Sequence, residues 1–159
     1  MIWDRALLTA AVTVALFLVT SVIAWYRNRY ERRNLIRALY SEIDFNTRDL
    51  EFFRTGSADI ELIRQHLDTN PDGTPHITDA HHTAIYSANL NRLHHLSDDL
   101  IAKVVLFYGL LGKLKAQIDG VGQMSFQRIS LDGKILTIER IQSTALEGRD
   151  IGLQVLEAL

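Results

Sequence analysis

The side chains with the most evident chemical potential are six histidines, all lying between His66 and His95, with two adjacent pairs at His81-His82 and His94-His95. Imidazole is a common metal ligand, so such a cluster raises a metal site. The spacing argues against it. Neighbouring residues on a helix point about 100° apart, so an adjacent pair does not chelate. His81 and His95 share a face but would lie about 21 Å apart along one helix. The His-x-x-x-His spacing that places two imidazoles on one metal is absent. No native metal site and no cofactor is expected, with His81, His82, His94 and His95 as the residues a metal would use. The alternative role for the segment is a response to metal or pH.

A second group is Glu42, Asp44, Asn46 and Asp49. Paired acids can do acid–base work. Glu42 and Asn46 stand one turn apart, however, and Asn46 falls inside an apolar stripe between Ile43 and Leu50. Asn89 sits in the same way beside Tyr86, Leu90 and Leu93. A buried amide must find partners, so Asn46 and Asn89 are expected to meet across a helical bundle and fix its register. No nucleophile–base arrangement, P-loop or Gly-x-Gly-x-x-Gly is present, and Gly120-Val121-Gly122 alone makes no phosphate loop. Catalytic residues are not expected. With no cysteine in 159 residues, disulfides, thiolate nucleophiles and zinc–thiolate sites are excluded.

The elements that position these residues begin with an anchor. Ala6 to Tyr26 is an uncharged run, ALLTAAVTVALFLVTSVIAWY. As a helix it is about 31 Å long, enough to cross a bilayer. Trp3 lies near one end; Trp25, Tyr26 and Tyr30 lie near the other, where amphipathic rings favour the interface. Arg27, Arg29, Arg32, Arg33 and Arg37 come next, opposed only by Glu31. Trp25, Tyr26, Arg27, Arg29, Arg32 and Arg33 are therefore the expected membrane-interface and lipid contacts. The arginine flank places the C-terminal side of the span in the cytoplasm and the residues before the span outside. A cleaved signal peptide fits less well, because the apolar run is long and the basic cluster lies on its C-terminal side. Ala6, Ala10, Ala11 and Ala15, with Thr9, Thr13 and Thr20, give small residues at helical spacing. Thr9, Ala11, Thr13 and Ala15 are expected to support helix–helix contact in lipid.

The overall charge of -2 conceals polarity. The flank 27–37 carries five arginines and one glutamate, net +4, and residues 1–26 contribute zero, which leaves -6 for residues 38–159. A basic collar favours anionic headgroups, and an acidic body is repelled by them. The overall charge of -2 weighs against a nucleic-acid binder, which carries a basic excess.

Residues 38–159 read as a helical domain. The span is expected to continue as one helix past Asn34, with an apolar face of Ile36, Leu39, Ile43, Leu50 and Phe53. Thr55-Gly56-Ser57 stops it and offers a new cap. A short helix over Ala58–Leu67 comes next, then a loop over residues 68–78. The next expected helix runs from Asp79 to Leu93. Another is capped by Ser97, carries Asp98 and Asp99 in its first turn, and runs to Ile118. Gly109 and Gly112 within it point to a tight helix crossing. For residues 123–139 either a hairpin turning at Asp132-Gly133 or a helix fits, and the unbroken run Lys134–Leu146 favours helix.

Three stretches carry a resemblance: Leu39-Tyr40-Ser41-Glu42-Ile43, the run from Ile85 to Leu93, and Leu96-Ser97-Asp98-Asp99-Leu100-Ile101 with Val104-Val105-Leu106-Phe107-Tyr108. Together they resemble small uncharacterised bacterial single-span membrane proteins with an Arg-rich flank and a cytoplasmic helical domain. That resemblance implies the same architecture and no activity. The chain departs from the pattern at its histidine pairs, where such proteins more often carry Leu-Gly-Leu.

The expected protein is therefore all-α, with an N-terminal tail and one transmembrane helix over residues 1–26, a basic collar over 27–37, and a small helical domain over 38–159 with a loop at 68–78. The expected role is non-enzymatic: an anchor or accessory subunit of the bacterial inner membrane. Its partners would be the bilayer and either itself or another membrane protein. The small-residue face of the span and the apolar face from Ile36 to Phe53 are the expected contact surfaces.

Overall fold

A computed structural model describes the backbone of residues 2–56, 59–75, 77 and 81–159 and, within the first helix, the side chains of residues 9–51. The described residues form helices and connecting segments only: α1 Ile2–Gly56, α2 Ile60–Thr69, α3 Ala84–Ala88, a 3-10 helix Leu90–His95, α4 Asp98–Val121, α5 Met124–Arg128 and α6 Leu131–Ala158. Two compact units divide the chain, Met1–Arg37 and Ala38–Leu159.

The first unit is the apolar part of α1. No Pro or Gly interrupts α1 before Gly56, so one helix of 55 residues forms. It contains a stretch long and apolar enough to cross a membrane, with a window of mean hydropathy 1.9 and no buried residue. Phe17, 68% exposed, is typical of its outward apolar side chains. The Thr13 hydroxyl donates to the Thr9 carbonyl at 2.8 Å, and that of Thr20 donates to Leu16 and Phe17 at 2.9 Å. These hydroxyls are satisfied within the helix.

The second unit is a bundle in which α4 and α6 form the most extensive pair. Leu39, Ile43 and Leu50 of α1 are buried with Val104, Phe107, Leu111 and Leu114 of α4 and Ile138, Ile141 and Val155 of α6. The α1 face expected as a docking surface is therefore consumed by the fold at Leu39, Ile43 and Leu50; the side chain of Phe53 lies outside the described residues. On α6, Lys134, Ile138, Ile141, Ala145, Gly148, Gly152 and Val155 are all buried. Their steps of three and four make a heptad-like seam, the pattern that keeps one face on a neighbouring helix.

The ambiguous segment is helical. The Ser130 hydroxyl accepts from the Gly133 N–H at 3.2 Å, so Asp132-Gly133 opens the first turn of α6 rather than turning a hairpin. Two other boundaries move, and one keeps its position without the expected bond. Ser57 lies outside the described residues; α2 is capped by Asp59, whose carboxylate accepts from the Glu61 N–H at 3.1 Å. Ser97 stands at the N-cap of α4 but makes no side-chain capping bond. Of the expected helix over Asp79–Leu93, Asp79 and Ala80 lie outside the described residues; from His81 on, the chain forms a connecting segment, the five-residue α3, a break at Asn89, and a 3-10 helix. The cause of that break is polar.

Candidate functional site

Glu42 and Asn46 project from the buried side of α1, one turn apart. Both are spent on the segment that leads into α3. The Asn46 amide is fully buried. Its Oδ1 accepts from the His82 N–H at 2.9 Å and its Nδ2 donates to the His82 carbonyl at 2.7 Å, with a further bond to the Glu42 carbonyl at 2.8 Å. This pairing satisfies both backbone groups of His82 and holds them out of a helix. The side chain thereby replaces the partner that a strand or a turn would give.

The Glu42 carboxylate completes the clamp. It accepts from the Ile85 N–H at 2.6 Å, the Tyr86 N–H at 2.9 Å and the Tyr108 hydroxyl at 2.7 Å. Ile85 and Tyr86 lie in the first turn of α3, where N–H groups have no intrahelical acceptor. Glu42 is thus a capping carboxylate supplied from another helix, and it sets where α3 starts. The break at Asn89 has its own cause: Asn89 Nδ2 donates back to the Ile85 carbonyl at 2.8 Å, and Arg92 donates to Asn89 Oδ1 at 3.2 Å. Asn46 and Asn89 therefore do not bond to each other. Asn46 fixes a connecting segment, and Asn89 bonds within its own.

Aromatic rings seal this group. Tyr86 stacks on Tyr108 with centroids 3.9 Å apart and planes 7° from parallel. His82 meets Phe45 edge-on at 4.6 Å. Burial, then the hydrogen bond and charge of Glu42, push the Tyr108 hydroxyl well above the ordinary tyrosine range. These three donors to the Glu42 carboxylate are all structural groups of this chain. Of the other two acids, Asp44 pairs with Arg48 on the surface at 2.8 Å, and Asp49 is half-buried.

The histidines of the two adjacent pairs do not converge on one site. His81 is half-buried, His82 is engaged as above, and His94 and His95 lie in the 3-10 helix with ring centroids 4.1 Å apart. His94 Nδ1 contacts the Asn91 carbonyl at 2.8 Å. His81 and His82 precede α3, so a shared helical face with His95 does not arise. Among the described residues no three of His, Cys, Asp and Glu gather to hold a metal ion.

In the first unit, Trp25 and Tyr26 are both exposed and meet edge-on at 5.0 Å. The Arg29 guanidinium lies 5.4 Å from the Trp25 ring, a cation–π contact. Arg27 bonds Glu31 at 3.1 Å. Arg32, Arg33, Thr9, Ala11, Thr13 and Ala15 are exposed.

The tight helix crossing is not at Gly109 and Gly112, where an added Cβ would meet nothing within 4 Å. It is at Gly148 and Gly152 of α6. A Cβ on Gly152 would stand 2.3 Å from Thr47 Oγ1 and 2.8 Å from the Phe107 ring; one on Gly148 would stand 3.2 Å from Leu50. The spacing Gly148-x-x-x-Gly152 is the sequence signal for it. Two further ties join α6 to its neighbours: Arg149 to Glu51 at 2.5 Å and Arg64 to Asp132 at 2.8 Å. The buried Lys134 donates to the Pro71 carbonyl and lies 5.8 Å from the Phe126 ring, holding the loop after α2 against α6. In comparisons with protein-family models, curated proteins and solved structures, none matches this chain.

Proposed function

We propose that the chain is a membrane-anchored, non-enzymatic structural or accessory subunit of the bacterial inner membrane, acting through association with itself or with a larger membrane complex. The observation that carries this reading is the apolar part of α1: a helix of spanning length whose described apolar side chains are exposed. Exposed Trp25, Tyr26 and arginines bound one end of it. A segment of this kind has no favourable place in water. The +4 collar after the span supports a cytoplasmic location for residues 38–159. The second unit supports a mechanical role, since Glu42, Asn46 and Tyr108 are spent on holding connecting segments in place.

Two measurements test the proposal. The full chain should stay in the membrane through a high-pH carbonate wash, and a periplasm-dependent reporter fused after Leu159 should be silent. Release by carbonate, or an active reporter, overturns the anchor or its orientation. Purification in mild detergent should retain a partner or a second copy. Ala11→Leu or Ala15→Leu should weaken that retention by crowding the small-residue face of the span.

A further inference from the structure

The outward face of α4 has no partner among the described residues. Asp98, Ala102, Val105, Leu106, Gly109, Gly112, Lys113 and Ala116 are all exposed. They fall within about 60° of one line along the helix, at 100° per residue. Val105 and Leu106 are 48% and 47% exposed. Two glycines in a helix interior weaken the helix, and neither relieves a contact here, since nothing lies within 4 Å of the Cβ each would carry.

The face is complementary to itself in one arrangement. Turned antiparallel about a two-fold axis between residues 105 and 106, Asp98 comes opposite Lys113 and Ala102 opposite Gly109. Val105 then meets Leu106 at the centre. The acid sits at one end of the face and the base toward the other, and neither makes an ion pair among the described residues. A parallel pairing would set Asp98 against Asp98. The small residues flank the bulky pair, so the backbones can approach closely on both sides of it. This is an isologous contact, in which one patch serves both partners.

From these residues we infer that α4 forms an antiparallel pair with α4 of a second copy of this chain. The inference rests on the anchored-subunit reading, because confinement to one membrane raises effective concentration and lets a single-helix contact suffice.

The chain has no cysteine, so introduced thiols report unambiguously. Full-length Ala102→Cys and Gly109→Cys, co-expressed and oxidised in membranes, should form a disulfide several-fold more than either alone. Asp98→Cys should not link to itself. Val105→Cys, beside the two-fold axis, should link to itself, and Gly109→Leu, built on a position with free space around it, should abolish that linking without lowering the melting temperature. Self-linking of Asp98→Cys, no linking of the mixed pair, or persistence of Val105→Cys linking beside Gly109→Leu overturns the inference. A carbonate-resistant chain that lacks the mixed disulfide loses only the α4 pairing; release by carbonate overturns the anchored-subunit reading itself.

Discussion

Replacing Glu42 by glutamine keeps shape and volume but changes one acceptor oxygen into a donor NH2. The carboxylate serves three donors, Ile85 N–H on one oxygen and Tyr86 N–H with the Tyr108 hydroxyl on the other. A glutamine can place its oxygen on only one side. If the oxygen takes the Tyr86 and Tyr108 side, the NH2 faces the Ile85 N–H; if it flips, the NH2 faces Tyr86. In either rotamer one first-turn amide of α3 loses its acceptor and confronts a donor. A buried, unsatisfied donor costs about 1–3 kcal/mol, and bonds to a charged acceptor contribute about 1.5–3 kcal/mol. The opposing effect is that the amide removes a charge that is costly to bury. The three donors offset that cost in the wild type, so Glu42→Gln should destabilise the second unit by about 2–3 kcal/mol. With a urea slope of about 1–3 kcal/mol per molar for a domain of this size, the midpoint should fall by about 0.7–3 M. Both tryptophans, Trp3 and Trp25, lie in the first unit, so their fluorescence does not report this loss. Helical circular dichroism of the full chain in mild detergent does. Hydrogen exchange should show the Ile85 and Tyr86 amides losing protection first. A midpoint within about 0.3 M of the wild type, or unchanged protection at those two amides, would refute the cap.

Three further predictions use the same unfolding assay. Gly152→Ala drives a methyl group into Thr47 and the Phe107 ring and should cost about 1–3 kcal/mol; Gly109→Ala meets open space and should stabilise the protomer by about 0.5–1 kcal/mol. The reverse ranking would put the tight crossing elsewhere. Asn46→Leu removes both partners of the His82 backbone and should cost about 2–3 kcal/mol; unchanged or improved stability shows that the clamp does not hold the segment before α3. The protonated Tyr108 hydroxyl is favoured in the folded state, so its contribution is complete below the ordinary tyrosine value of about 10 and is lost as pH rises above that toward its raised folded value. Stability should therefore fall with increasing alkalinity, and Tyr108→Phe should flatten that decline; an identical slope in the variant removes Tyr108 as its source.

Much of the architecture is a local property of this chain. The uncharged run from Ala6 to Tyr26 and the absence of Pro and Gly before Gly56 dictate a long helix, because propensity and backbone satisfaction act over a few residues. The same holds for α4, whose acidic first turn and apolar periodicity are local signals. The seam of α6 is equally legible once the glycines at 148 and 152 are counted as seam positions.

What local signals do not carry is the identity of partners. Asn89 and Asn46 look alike in sequence, each an amide in an apolar stripe, yet one bonds within its own turn and the other holds a backbone segment 36 residues away. Gly109 and Gly152 are likewise both glycines inside helices; one faces open space and the other the Phe107 ring. The expected helix over Asp79–Leu93 is shortened because Glu42 and Asn46 on α1 claim the backbone groups of residues 82, 85 and 86. Hydropathy, charge and propensity along the chain are enough to specify the long apolar helix, its basic collar and the helical class. Which polar groups are spent and which helix face is left over depend on contacts between residues far apart in sequence, so they emerge only when the helices pack.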